Sequence, residues 1–224
     1  MSQPSSTQDW LNRQGNLQMG FIRSDAPRAP EPDCWTRNLW NLVIYPQDRP
    51  DLQAAFVALA RPLGPTFSRI LAEEKVRVVI VPRNCQISQV ILPEGLRLAH
   101  EGARGNVGAL THAAGFYYFG RRVAAIREEH FRGTIVIHEL AHSIDDVLSR
   151  RCRLREPVSL MLWQRFPKGR QLLVGRHKDI SPREYFAISL QLYYSLGGRK
   201  KIQASDPGLL EFLDYFLQPA PERS

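Results

Sequence analysis

Cysteine is scarce in this chain, and its placement excludes several architectures. The 224 residues carry three, Cys34, Cys85 and Cys152, an odd number with no C-x-x-C pair. That pattern supports neither a disulfide framework nor a structural zinc ribbon and reads as reduced thiols. No apolar run reaches the roughly 18 residues that a membrane span needs. The first nine residues, Met1 to Asp9, have neither a basic patch nor an apolar stretch. They predict no cleavable signal peptide, which leaves residence in the cytoplasm or export by a dedicated route. No internal repeat is visible.

With 43% hydrophobic residues, the chain can bury one sizeable core. The formal net charge is +8, and it is concentrated. Arg150, Arg151, Arg153, Arg155, Arg165, Lys168, Arg170, Arg176 and Lys178 face Glu156 alone across residues 150–178. Such a segment suits a nucleic-acid or acidic-peptide partner, or a solvated face on a connection. The basic–aromatic interleaving of a single-strand groove is missing, so nucleic acid is the weaker of the two partners, and the solvated face is favoured over either.

Residues 1–33, rich in Ser, Gln, Asn and Pro, read as a flexible lead-in, and residues 34–224 as a single domain. Leu42 to Tyr45 suits a short strand, and Pro50 opens a helix over 51–63. A second helix over 65–74 precedes the buried strand Val76 to Val81, and Val90 to Leu92 forms another. Glycines at 102, 105, 108 and 115 mark a loop. Phe116-Tyr117-Tyr118 and Val123 to Ile126, with Gly120-Arg121-Arg122 between them, read as a hairpin. Helices are expected at 134–149, 157–165, 182–196 and 207–217. Strands come early and helices late, which predicts an α+β fold: a small mixed sheet, its edge hairpin packed on one helix, and a helical C-terminal part.

That one helix carries the chemistry. Thr134 to His142 contains His138-Glu139-Leu140-Ala141-His142, the H-E-x-x-H pattern. Four residues apart on a helix, His138 and His142 share a face and can grip one Zn²⁺ at about 2.0–2.1 Å. Glu139 stands one step round, where it can act as a base without ligating. Chance yields the pattern in about one chain of this length in two hundred. Two imidazoles on a helix otherwise carrying Ile135, Val136, Leu140, Ile144 and Val147 are costly without a strong partner. Asp145 is a candidate to hold a ligand imidazole by its free N–H, or to serve as a plain cap or solvated carboxylate.

A catalytic zinc needs a third protein ligand. Glu156, His177, Asp179 and Glu184 are the downstream candidates. Glu184 opens an apolar helix, but Ser181-Pro182-Arg183-Glu184 is also a capping-box signature, in which the carboxylate bonds its own helix start. Spacing alone leaves the two readings open.

The two segments His138 to Asp145 and Ser181 to Ala187 together resemble the catalytic domain of the anthrax lethal factor family of zinc peptidases, which includes Pro-Pro endopeptidases. The resemblance runs from about Gly115 to Leu217. It implies a zincin-like metallopeptidase domain in which Glu184 is the third zinc ligand beside His138 and His142. It also implies that Glu139 is the catalytic base, in a bacterial toxin or effector protease. His177 stands where the family has a tyrosine that faces the oxyanion, and an imidazolium there can donate the same bond; the alternative is an ordinary loop histidine. Phe116, Tyr117 and Tyr118 are expected to bind an extended peptide by strand addition. The expected protein is thus a monomeric zinc endopeptidase, of the type with H-E-x-x-H plus Glu. Its rivals are a catalytically inactive zincin-like interaction module and a basic nucleic-acid-associated protease.

Overall fold

A computed structural model describes residues 35–45, 49–83, 85, 87, 113–152, 156–174 and 180–218. The predicted lead-in and the strand at 90–92 lie outside them. Within them runs α1 (Thr36–Trp40), β1 (Val43–Ile44), α2 (Asp51–Ala60), a 3₁₀ turn (Arg61–Leu63), α3 (Gly64–Glu73) and β2 (Arg77–Val81). After the undescribed stretch come β3 (Gly115–Tyr118), β4 (Val123–Arg127), a 3₁₀ turn (Glu128–His130) and α4 (Gly133–Arg151). The rest is helical: α5 (Val158–Arg165), α6 (Pro167–Val174), α7 (Pro182–Tyr193), α8 (Gly198–Ser205) and α9 (Pro207–Phe216).

The four strands form one sheet in the order β1-β2-β4-β3. β1, β2 and β4 are parallel, and β3 runs antiparallel at the edge, Gly115 opposite Ile126 and Tyr118 opposite Val123. The continuous apolar run Val78 to Val81 follows from burial on both sheet faces. Val78 and Ile80 face the main core with Ala124 and Ile126, whereas Val79 and Val81 face a second cluster with Cys85, Ile87 and Tyr118. The fold is therefore α+β, a small mixed sheet with helices making up most of the remainder.

The β3–β4 turn is tight. Arg122 takes a left-handed conformation at φ 54, which a non-glycine residue adopts at a cost. Its guanidinium compensates by bonding the Glu74 carbonyl at 2.8 Å and carboxylate at 3.0 Å. β4 then feeds α4, whose Val136, Ile137, Leu140, Ala141, Ile144 and Val147 are buried. α4 packs most extensively on α7 and also meets α2, α3, β3 and β4. It is the central helix of the fold.

The helices differ from expectation at several points. The helix expected over 51–63 stops at Ala60, because Pro62 has no N–H to continue it, and Gly64 follows at φ 74. The helix expected to reach residue 196 ends at Tyr193; Gly197, at φ 73, turns the chain into the unanticipated α8. α6 was likewise unanticipated, its N-terminus opened by Pro167.

Candidate metal centre

Helical geometry brings the imidazoles of His138 and His142 together, ring centroids 4.9 Å apart and nearly perpendicular. α7 delivers the third group. Ser181 caps that helix, its hydroxyl accepting from the Glu184 N–H at 3.3 Å. The other half of a capping box does not form. Instead the Glu184 carboxylate meets both rings, Oε2 at 3.3 Å from His138 Nε2 and Oε1 at 3.2 Å from His142 Nε2. The backbone of Glu184 thus takes part in the cap while its side chain reaches across to α4.

The donor set suits a divalent ion. Two imidazole nitrogens and a carboxylate oxygen lie within 4.8 Å of one another, the one such group among the described residues. Ligand atoms held at about 2.0–2.1 Å round a tetrahedral ion stand roughly 3.3–3.4 Å apart. The two nitrogen–oxygen separations, each to a different oxygen of the carboxylate, are close to that spacing. Gln191, seven residues beyond Glu184 on the same face of α7, places Oε1 3.0 Å from His138 Nδ1. A bond donated from Nδ1–H leaves the Nε2 lone pair for a metal.

Electrostatics follow from burial and from these contacts. Hydrogen bonds from His138 and His142 hold the Glu184 carboxyl well below the usual carboxylate range, against the opposing effect of burial. Burial works against a charged His138, but the Glu184 bond, the Glu139 charge and the Gln191 bond outweigh it and raise its pKa. Glu139 behaves oppositely. It is 5% exposed, and its Oε2 has no protein partner. Burial, with some repulsion from Glu184 and against attraction to His138, pushes its pKa up to about 7.

The chain shares its fold with the Pro-Pro endopeptidase from Paenibacillus alvei. The solved structure of that protein matches over 80% of this chain and 99% of its own, with a TM-score of 0.57 and 19% sequence identity. No protein-family model matches the chain, and no curated protein does. At this identity the likeness to the endopeptidase concerns architecture: a small mixed sheet and a helical remainder, over nearly the endopeptidase's whole length.

The other sequence candidates fall as follows. Asp145 does not support an imidazole. It is 1% exposed, and its two oxygens accept from the backbone N–H and hydroxyl of Ser159, at 2.9 and 2.7 Å. It therefore ties the start of α5 to α4, a capping role across two helices. The Nδ1 of His142 has no hydrogen-bond partner; Phe119 lies near that ring, centroids 6.2 Å apart. Tyr117 and Tyr118 are buried. Tyr117 donates to Asp146 at 2.9 Å, which also binds Arg150, and Tyr118 packs in the second cluster. What these tyrosines can offer a peptide is backbone, because their rings are committed to the interior. Phe116, partly buried, stacks edge-on with Tyr118 at 4.7 Å. His177 lies outside the described residues.

The basic segment is also partly spent on the fold. Arg150 binds Asp146 and the Phe119 carbonyl, and Arg151 binds Glu73. Arg165 and Arg170 lie over Phe166 and Trp163. Sequence reasoning missed two site neighbours, Gln191 and Arg183. The i, i+7 spacing from Glu184 was a usable signal for Gln191. For Arg183 there was none beyond adjacency to Glu184.

Proposed function

We propose that the protein is a zinc-dependent endopeptidase of the lethal factor-like kind, with His138, His142 and Glu184 as metal ligands. One observation carries the reading: the Glu184 carboxylate, on a separate helix, meets both Nε2 atoms of the His138–His142 pair. The H-E-x-x-H motif and the architecture shared with the Pro-Pro endopeptidase from Paenibacillus alvei support it. Zinc in this site would supply a Lewis acid and lower the pKa of water.

The chain's own residues then divide the work. Gln191 orients His138, and Ser181 fixes the helix start that aims Glu184. Glu139 takes the proton from the attacking water and passes it to the leaving amine. Burial pushes its pKa up to about 7 in the metal-free chain, and a zinc ion beside it would favour the ionised form that accepts the proton. Among the described residues β3 is the edge of the sheet, and its outer side would offer backbone N–H and C=O groups to an extended peptide. His177 is assigned as the oxyanion donor in place of the tyrosine that the resembled family has at this position.

A preference for acidic peptides rests on Arg183. It is exposed, next to Glu184, with its guanidinium 3.8 Å from the centroid of the Phe119 ring, and that ring neighbours His142. Among the described residues it has no carboxylate partner. A substrate carboxylate near the scissile bond can supply one.

The test combines metal analysis with mass-spectrometric profiling of cleaved peptide libraries for wild type, Glu184→Ala and Glu139→Gln. The expected result is one zinc per chain and cleavage for wild type, no stable zinc for Glu184→Ala, and zinc without cleavage for Glu139→Gln. Full zinc retention by Glu184→Ala would remove the reading.

A further inference from the structure

Gly115 opens the edge strand β3, pairing with Ile126 of β4. Its backbone does not call for glycine. The positive-φ glycines among the described residues are Gly64 and Gly197, so Gly115 has a conformation that other L-residues adopt. Within a strand, glycine is a poor choice, since it packs nothing and loses more entropy than a larger residue. Something other than the turn or the strand must require it.

The neighbour supplies the reason. A Cβ built on Gly115 would stand 2.6 Å from Glu139 Oε1 and 2.8 Å from both Cδ and Cγ of the same side chain. Those separations lie well inside van der Waals contact of about 3.5–4.0 Å. Three consecutive heavy atoms of Glu139 therefore rest against the strand's backbone. Oε1 lies on the strand side, while Oε2 has no protein partner. The side chain is otherwise shielded from solvent, because Glu139 is 5% exposed.

We infer that Gly115 is a positioning residue: the bare Cα of the edge strand forms the wall that sets the rotamer of the base Glu139. The inference rests on the proposed peptidase reading for its catalytic meaning, but the steric relation stands on its own. A methyl at position 115 has a choice of what to displace. The strand is hydrogen-bonded to β4, and the carboxylate is the end of a flexible side chain, so the carboxylate yields. The base is then moved away from its unpartnered position, and the three atoms nearest the added methyl all belong to Glu139 and none to His138, His142 or Glu184. The strand that would bind the peptide and the group that would activate water are thereby joined through one Cα.

The experiment is a double-mutant cycle on the full, zinc-loaded chain, Gly115→Ala in the wild-type and Glu139→Ala backgrounds, read by denaturant midpoint and by turnover. In wild type, Gly115→Ala is expected to lower the midpoint and cut kcat at least tenfold, with zinc still one per chain and KM within twofold. In Glu139→Ala the obstructing atoms are gone, and the same substitution is expected to raise the midpoint, as alanine ordinarily does for glycine in a strand. This reversal of sign needs no peptide, so it is read even if the chain proves not to be a peptidase. An equal midpoint shift in both backgrounds overturns the inference. So does a fully active Gly115→Ala enzyme.

Discussion

Glu139→Gln tests both the base assignment and its electrostatic cause. In the metal-stripped protein, burial raises the Glu139 pKa from 4.5 to about 7. At about 1.4 kcal/mol for each factor of ten, that displacement costs the folded state roughly 3 kcal/mol once the carboxylate is charged. The sign follows from proton counting. Between pH 4.5 and 7 the folded chain retains a proton that the unfolded chain has released, so stability falls as pH rises through this window. Below it both states are protonated and the cost vanishes; above it the cost is complete. Glutamine keeps the shape and cannot ionise. The variant is expected to be more stable than wild type by about 2–3 kcal/mol at pH 8 and by less than about 1 kcal/mol at pH 5. Urea denaturation of both chains, after exhaustive chelation, measures the difference at each pH. With zinc restored, the variant is expected to bind the metal and to lose turnover by about 10²–10⁴-fold or more. A stability offset identical at both pH values would refute the buried-charge reasoning. A fully active variant would refute the base.

Gln191→Leu is expected to weaken zinc binding by about 10–100-fold, measured by competition with a chromogenic chelator, since His138 loses the acceptor that orients its ring. Glu184→Ala should lose more than that, and should also lower the pKa of His138, seen by NMR titration of the metal-free protein as a shift of its ring resonances to lower pH. Arg183→Ala is expected to reduce the kcat/KM advantage of a peptide bearing Glu over its Gln counterpart by about two- to fivefold, the worth of an exposed ion pair, leaving cleavage of the Gln peptide unchanged. Asp145→Ala is expected to cost about 1–3 kcal/mol of stability by leaving the Ser159 N–H and hydroxyl unpaired in the interior. Thermal or chemical denaturation checks it, and the metal affinity is expected to stay the same.

Much of this is legible in the sequence, and the reason is locality. A spacing of four residues places His138 beside His142 in any α-helix, and the β-branched run before it and the apolar residues through it mark that helix as buried. Pro182 after Ser181 marks a helix start, and the turn residues between Tyr118 and Val123 mark a hairpin. These are properties of short stretches of chain, so the residues themselves determine them. Helix crossings belong to a different level. Whether Glu184 bonds its own N-terminus or the histidines depends on where α7 lies on α4, which the packing of Tyr185, Phe186 and Leu190 into the shared core decides. The same crossing brings Gln191 to His138. It was tertiary packing, too, that turned Asp145 toward Ser159, buried the two tyrosines of β3, brought Arg150 to the Phe119 carbonyl and Arg151 to Glu73, and laid Gly115 against Glu139. Each of these contacts joins segments whose separation in the chain exceeds the reach of helix or strand periodicity, so only the folded arrangement could select it.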